Sequence, residues 1–239
     1  MLISHLYPLI SCICITDNRP TFLLKAVIHF DAQNYPNREL VVSYPKTDLA
    51  SKILISKIKQ VSDLNIMVIE REECLSLGLA RNEAVAKCNG EYICTWDDDD
   101  WHREVRLIYQ YTSLLSIKQK REACILPQVV LFDSTKDRAW FSGTFNWAGT
   151  LLCKKEIVLQ HPYSDTNSDE GAELIQYLIT SKYLHYFANY NLYAFIYHGT
   201  NITDRQQFKL LTKDLVALDM GSKEWLSILI NRKIDLVTN

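Results

Sequence analysis

Glycine is scarce in this chain: seven among 239 residues, roughly half the usual share. They stand at Gly78, Gly90, Gly143, Gly149, Gly171, Gly199 and Gly221. No two have the spacing of G-x-G-x-x-G or of G-x-x-x-x-G-K-[ST], so a dinucleotide fingerprint and a P-loop are both excluded. Any nucleotide is held without a glycine-rich cradle. An excess of charge of one sign is also missing. Lysine and arginine total 26 against 28 acidic residues, a formal net charge of −2, which gives no whole-chain attraction to nucleic acid or to an anionic membrane. No apolar run approaches the roughly 20 residues of a membrane-spanning helix. The opening MLISHLYPLISCICIT lacks a basic region and is interrupted by Pro8, so it reads as a lead into a first strand and not as a signal peptide.

The seven cysteines, Cys12, Cys14, Cys74, Cys88, Cys94, Cys124 and Cys153, are odd in number and contain no C-x-x-C. Most lie in apolar settings such as SCICI and YICTW, where a thiol acts as a small core hydrophobe. That usage points to a reducing, cytoplasmic compartment and away from a zinc site. Hydrophobic residues make up 48 % of the chain, which is ample for a folded core and unlike a disordered protein.

The first half alternates between two periodicities. Leu9–Thr16 reads as a strand, and Pro20 suits the first position of a helix carrying Phe22, Leu23, Ala26, Val27 and Phe30. Glu39–Ser43 is a second strand. Leu49, Ile53, Ile58 and Val61 mark a second helix capped by Thr47 or Asp48. Leu64–Ile69 is a third strand. Ala80, Ala84, Val85 and Cys88 form the narrow face of a third helix ended by Asn89-Gly90, and Glu91–Trp96 is a fourth strand. This alternation predicts βαβ units and a mostly parallel sheet flanked by helices. After Cys124 the pattern changes. Ile125–Phe132 reads as one strand, Trp140–Cys153 as extended, Ser168–Lys182 as a helix, and Tyr183–His198 is rich in tyrosine. The tail, 204–239, reads as two short amphipathic helices divided by Gly221: Phe208, Leu211, Leu215 and Leu218, then Trp225, Ile228 and Leu229. Their mixed charge leaves dimerisation and peripheral membrane contact equally open.

The fourth strand runs into Asp97-Asp98-Asp99-Asp100. Ligands of open parallel sheets bind beyond the carboxyl ends of strands, so these carboxylates stand where chemistry is expected. Four adjacent aspartates repel one another unless a cation intervenes. Mg²⁺ or Mn²⁺ takes one or two carboxylates together with substrate phosphates. If the strand continued, Asp97 and Asp99 would face one side and Asp98 and Asp100 the other. The competing reading is a solvated acidic loop favouring the helix that follows. A haloacid-dehalogenase-type phosphatase, which wants Thr or Val two residues after its second Asp, meets Trp101 or His102 instead. An EF-hand lacks its glycine at loop position six.

The run LGLARNEAVAKCNGEYICTWDDDDWHREVRL (Leu77–Leu107) resembles family 2 glycosyltransferases of the GT-A fold. ISCICITDNRP (Ile10–Pro20), AQNYPNRELVV (Ala32–Val42), NWAGTLLCKKEIV (Asn146–Val158) and YHGTNIT (Tyr197–Thr203) agree, in the family's order. The resemblance implies a single mostly parallel twisted α/β sheet over 1–203, with 8–123 binding the nucleotide-sugar and 124–203 the acceptor, and 204–239 as a helical appendage. It implies transfer from a nucleoside-diphosphate-sugar to the hydroxyl of a saccharide or lipid-linked saccharide, with Mn²⁺ or Mg²⁺ and with inversion, as in cell-surface polysaccharide or glycoconjugate synthesis. Asp99 would be the metal ligand, with Asp97 and His198 as further ligands and Asp97 or Asp98 touching ribose or sugar. Thr16, Asn18 and Arg19 would line the base and ribose pocket, and Arg81 would stand near the donor. Asn146, Trp147 and Trp140 would wall the sugar or acceptor pocket, or else belong to the core.

An inverting reaction needs a carboxylate to take the acceptor proton. Asp169 and Glu170 are the candidates, in either order. Registering on Leu174 instead puts Gly171 where the base is expected. The second strand also departs from the family. It reads Val42-Ser43-Tyr44-Pro45 where an Asp would contact the base, leaving Tyr44 to stack and the donor nucleotide open. Two other readings remain: a sugar-phosphate nucleotidyltransferase, whose Gly-rich basic loop is missing after Thr16, and a non-catalytic nucleotide-sugar-binding relative.

Overall fold

The computed structural model describes residues 7–219 together with Gly221, Glu224 and Leu226. Strands and helices alternate from the start. In chain order they are β1 (Ile10–Ile15), α1 (Pro20–Asp31), β2 (Arg38–Pro45), α2 (Leu49–Val61), β3 (Ile66–Arg71), α3 (Leu77–Lys87) and β4 (Tyr92–Thr95). Then follow β5 (Trp101–His102), α4 (Arg106–Leu115), β6 (Ala123–Ile125), β7 (Val130–Asp133), β8 (Arg138–Phe141), β9 (Leu152–Lys154) and α5 (Lys155–Gln160). The last are α6 (Ala172–Thr180), β10 (Leu184–Tyr186), β11 (Tyr193–Tyr197) and α7 (Arg205–Thr212). The boundaries have local causes. Pro20 opens α1, and the Asp48 carboxylate caps α2 by accepting from Ser51 N at 2.9 Å. Ser76 caps α3.

Seven strands form the main sheet in the order β10-β6-β9-β4-β1-β2-β3. Only β9 runs against its neighbours; the other pairings are parallel. β1 and β4 are buried along their length apart from partly exposed Ile15, as expected of strands covered on both faces. Two hydrophobic clusters flank the sheet. One includes Leu23, Phe30, Tyr44, Ile55, Trp96 and Leu107; the other includes Val85, Ile93, Val158, Leu174 and Leu178.

Beside the expected parallel sheet stands a second sheet of four strands, β5-β11-β7-β8, which the sequence reading did not separate. The stretch Ile125–Phe132, expected as one strand, is two strands in different sheets. Pro127 lies between them and cannot donate to a ladder. Trp140–Cys153 is likewise not continuous: β8 ends at Phe141, a 3₁₀ turn occupies Ala148–Thr150, and β9 begins at Leu152. α6 starts at Ala172, four residues after the expected Ser168, because Asp169 has a left-handed backbone (φ 54°). In the tail, Phe208 of α7 is buried beside Trp140 and Tyr197. The second tail helix, with Trp225, Ile228 and Leu229, lies outside the described residues.

Candidate active site

β4 stops at Thr95, and the four aspartates follow in a turn rather than an extended strand. The side-to-side alternation expected of a continuing strand is therefore not found. Each carboxylate has its own partners. Asp97 Oδ1 accepts from Arg81 Nη2 at 2.6 Å. Asp98 accepts from Thr16 Oγ1 at 2.6 Å and from Arg19 Nη2 at 2.5 Å. Asp99 Oδ2 meets Arg19 Nη1 at 3.0 Å and His198 Nε2 at 3.1 Å. Asp100 accepts from the Tyr193 hydroxyl and, at 3.0 Å, from Ile196 N. Repulsion is relieved by donors from β1's loop, α3, β11 and the turn after it.

The same geometry sets the ionisation of the cluster. Burial, helped by the Asp99 charge, pushes Asp98 up to about 7 against the pull of Arg19 and Thr16. Burial also opposes ionisation of Asp99, but the His198 hydrogen bond and the Arg19 charge together hold it below the ordinary carboxylate range. Asp100 is pushed well upward by burial and by the charges of Asp99 and Asp97. Of the three shifted carboxylates Asp99 alone is held toward its anionic form, and its side chain is 14 % exposed against 1 % for Asp98.

Beneath the turn lies a polar floor that sequence reasoning missed. Arg106 is fully buried, its guanidinium between the rings of Trp96 and Tyr193 at 5.5 and 5.3 Å. It donates to Gln110 Oε1 at 2.9 Å and to the Gly149 carbonyl at 3.2 Å, and its Nη1 lies 2.5 Å from His102 Nδ1. An arginine only donates, so His102 Nδ1 accepts and its proton resides on Nε2, which faces the Asp97 carbonyl at 3.3 Å. Burial and the Arg106 charge hold the His102 pKa well below 6.5, keeping the ring neutral. The ring stacks on Trp96 at 3.8 Å. The signal in sequence was only that Arg106 and Gln110 are i, i+4 on an apolar helix. Gly149 completes the floor: a Cβ there would stand 2.8 Å from the Tyr193 hydroxyl and 3.0 Å from Asp97 Oδ2.

Two cavities meet over this turn. The smaller, about 130 Å³, is lined by Arg19, Arg81, the four aspartates and Phe195. The larger, about 420 Å³, is lined by Phe145, Asn146, Trp147, Asp169, Glu170 and Leu210 among others. Leu77, Ile202 and Thr203 line both. The segment bearing Asp169 and Glu170 is fastened to the start of α3. Ser76 Oγ donates to Asp165 Oδ1 at 2.7 Å, Leu77 N to Asn167 Oδ1 at 2.9 Å, and Gly78 N to the Thr166 carbonyl at 3.1 Å. The backbones come so close that a Cβ on Gly78 would lie 1.9 Å from the Ser164 carbonyl oxygen.

The expected site residues separate into groups. Arg19, Arg81, Asp97, Asp98 and Asp99 line the smaller cavity together. Arg81 bridges Asp97 and Glu170 on one buried guanidinium. Asp169 and Glu170 both line the larger cavity but part company in their surroundings: Asp169 is exposed, while Glu170 is 7 % exposed and engaged by Arg81. Thr16 is 1 % exposed, with its hydroxyl on Asp98, so it braces the acidic turn and presents no free face. Asn18 is exposed with φ 51°, its N–H on Asp48 Oδ2 at 2.8 Å. Arg71 ties this loop to β2, donating to the carbonyls of Thr16 and Ser43 at 2.9 and 2.8 Å; it had no signal beyond a cation closing an apolar strand.

Two expectations are corrected, for Tyr44 and Asp97, and of the two readings left open for Trp140 the core one holds. Tyr44 is 2 % exposed within the core and lines neither cavity, so its ring offers no face to a base. Trp140 packs on Phe208 away from the larger cavity, whereas Asn146 and Trp147 do line it. Asp97 does not join Asp99 and His198: Arg81 draws its carboxylate aside. Among the described residues no three His, Cys, Asp or Glu side chains gather as a metal site. Asp99 and His198 alone form a converging pair, a donor set of one carboxylate oxygen and one imidazole nitrogen that suits Mn²⁺ or Mg²⁺ when substrate phosphates complete the shell. Gly171, where the family register places a base, has no side chain, and a Cβ there would meet Ala148 Cβ at 3.2 Å.

Comparison with known proteins gives the fold a family. The family model described as glycosyl transferase family 2 matches residues 11–179. No curated protein matches the sequence. Among solved structures, S. aureus TarS 1-349 superposes with a TM-score of 0.61 at 13 % identity, covering 94 % of this chain and 71 % of that one. The same protein in complex with UDP-GlcNAc gives 0.58 at 14 % identity, with the same coverage. The mannosyltransferase PcManGT from Pyrobaculum calidifontis, in complex with GDP-Man and Mn²⁺, gives 0.61 at 14 % identity. It is covered over 58 % of its length by 82 % of this chain. At such identities the superpositions speak for the fold, and the family model for descent. The chain belongs to glycosyl transferase family 2 and is a glycosyltransferase.

Proposed function

We propose that this enzyme moves a sugar from a nucleoside-diphosphate-sugar to an acceptor hydroxyl with inversion, using a divalent cation. The observation that carries this reading is the shared rim of the two cavities. The smaller holds carboxylates and guanidinium groups suited to a diphosphate sugar. The larger is apolar and aromatic, suited to an acceptor, and carries an exposed carboxylate. TarS and PcManGT, solved with UDP-GlcNAc and GDP-Man, support a donor of this class.

In this reading Asp99 and His198 hold the cation, which when bound neutralises the charge of the departing diphosphate. Arg19 and Arg81 keep Asp98 and Asp97 oriented, and Asp97 meets a ribose or sugar hydroxyl. Trp147 and Asn146 position the acceptor. Asp169 takes the proton of the acceptor hydroxyl while its oxygen bonds to the anomeric carbon, and the bond from that carbon to the diphosphate oxygen breaks on the opposite face. Glu170 acts as the partner of Arg81, which leaves the base role to Asp169. An acceptor approached at the inner face of a membrane fits the apolar rim of Phe145, Ile202 and Leu210, each about 60–67 % exposed.

The test is to incubate the chain with nucleotide-sugars and Mn²⁺, following thermal stability and nucleoside diphosphate release. Ligand binding raises apparent stability, and turnover accompanies it if the proposal is right. The second reading, a non-catalytic nucleotide-sugar-binding relative, rests on Gly171 at the family's base position. Binding with no release under any acceptor would favour it.

A further inference from the structure

α7 has a lined cavity on each side. Gln207, Leu210 and Leu211 face the larger cavity of the active site. Arg205, Phe208, Lys209 and Thr212 face another, of about 370 Å³, between this helix and the β7–β8 hairpin. The two cavities share no lining residue. Five cations line the second one, Lys136, Arg138, Arg205, Lys209 and Lys213, against one carboxylate, Asp133. Such an imbalance is local, because the whole chain is close to neutral.

The single carboxylate is already engaged. Arg205 donates from Nη1 to Asp133 Oδ2 and from Nη2 to Thr135 Oγ1, both at 2.5 Å, and its guanidinium lies 4.4 Å from the centre of the Tyr197 ring. Arg205 is thereby held in place at the wall. Of the five cations, Arg205 is the partner of Asp133. Lys136, Arg138, Lys209 and Lys213 are exposed at the mouth. Trp140 and Phe208, 6.1 Å apart between ring centres, back the cavity. A fixed guanidinium at an apolar wall, ringed by exposed cations, suits an anion with several acceptor oxygens.

We propose that this cavity binds a phosphate-class anion, a phosphomonoester or phosphodiester group, at a site separate from the donor's. Two sources present that group: a soluble phosphate ester and the headgroup of an anionic bilayer. Neither the proposal nor its test depends on transfer activity.

The full chain is titrated calorimetrically with inorganic phosphate and with glycerol phosphate. In parallel it is co-sedimented with vesicles of phosphatidylcholine alone and of phosphatidylcholine with phosphatidylglycerol. The variant combines Lys136→Ala, Lys209→Ala and Lys213→Ala, all outside the donor and acceptor cavities, with folding checked by its unchanged melting temperature. The wild type is expected to bind the soluble phosphates or the phosphatidylglycerol vesicles, more weakly as salt rises, and to ignore phosphatidylcholine. The variant is expected to lose tenfold or more in affinity for the same probe, on the order of fivefold for each lysine near an anionic surface. Binding of soluble phosphates identifies a small ester as ligand; binding of vesicles alone identifies a headgroup. No binding of either probe by the wild type, or a loss below tenfold in the variant, overturns the proposal.

Discussion

His198 Nε2 lies 3.1 Å from Asp99 Oδ2, although 99 residues separate them in the chain. The approach is made by β11, which pairs antiparallel with β5 directly after the acidic turn and so delivers its following residue to that turn. Phe22 of α1 packs on the imidazole at 4.5 Å between ring centres. If this pair holds the donor's cation, Asp99→Asn and His198→Ala should each weaken Mn²⁺-dependent donor binding by about tenfold or more, equivalent to roughly 1.4 kcal/mol. Calorimetric titration of donor with and without Mn²⁺ checks this, and a Mn²⁺ dependence unchanged from wild type in either variant would sink the assignment.

Tyr44 serves the core and not the nucleotide. Tyr44→Phe is expected to leave donor affinity within twofold of wild type. Tyr44→Ala should instead lower stability by about 3–5 kcal/mol, the usual cost of removing a large buried ring. Denaturant unfolding and donor titration of the two variants together separate these roles.

Gly78 fastens the active-site segment. An added methyl would stand 1.9 Å from the Ser164 carbonyl, and a backbone atom gives way less readily than a flexible side chain. Gly78→Ala should therefore cost about 1–3 kcal/mol or more, the range for overpacking, and raise hydrogen exchange across 163–170. A variant as stable as wild type, with unchanged exchange there, would contradict the close approach.

The Asp133–Arg205 pair has a pH signature. Burial works against the Asp133 charge, but Thr135 and Arg205 together hold its pKa below the usual value. A depressed folded-state pKa adds stability that is complete above the unfolded pKa of about 3.9 and fades as pH falls through the folded one. Asp133→Asn should thus lower stability at neutral pH by about 2 kcal/mol, the scale of a hydrogen bond to a charged group. The difference should shrink below about pH 3–4. Thermal melts across that window test it, and a gap that stays constant with pH would refute the electrostatic origin.

What could be read from sequence follows from how local each signal is. The first half was legible because its strands are largely buried apolar runs that alternate with helices, so Pro20 and Asp48 marked the starts of α1 and α2, and Asn89-Gly90 fell just beyond the end of α3 at Lys87. The second half was less so. β5 is two residues long, too short for any periodicity, and it exists because β11 pairs with it. β6 and β7 sit in different sheets although only four residues separate them, and Pro127 was the sole local sign. At the site, the acidic run announced itself, but its partners did not. That Arg81 would claim both Asp97 and Glu170, leaving Asp169 exposed, depends on the docking of 163–170 onto α3 and has no local trace. The neutral His102 and buried Arg106 under the turn are likewise products of tertiary packing. Tyr44 shows the converse error: a residue at the right strand end, whose ring the fold turns inward.

The central claim is that Asp169 takes the acceptor proton while Glu170 positions Arg81. The most direct measurement is the rate of nucleoside diphosphate release by Asp169→Asn and Glu170→Gln, with donor affinity measured on the same preparations. The account predicts that Asp169→Asn binds donor as wild type does but loses at least a hundredfold in transfer rate, within the range of general-base contributions of about 10²–10⁴. Glu170→Gln should weaken donor binding and retain more transfer than Asp169→Asn. Full transfer by Asp169→Asn would contradict the account.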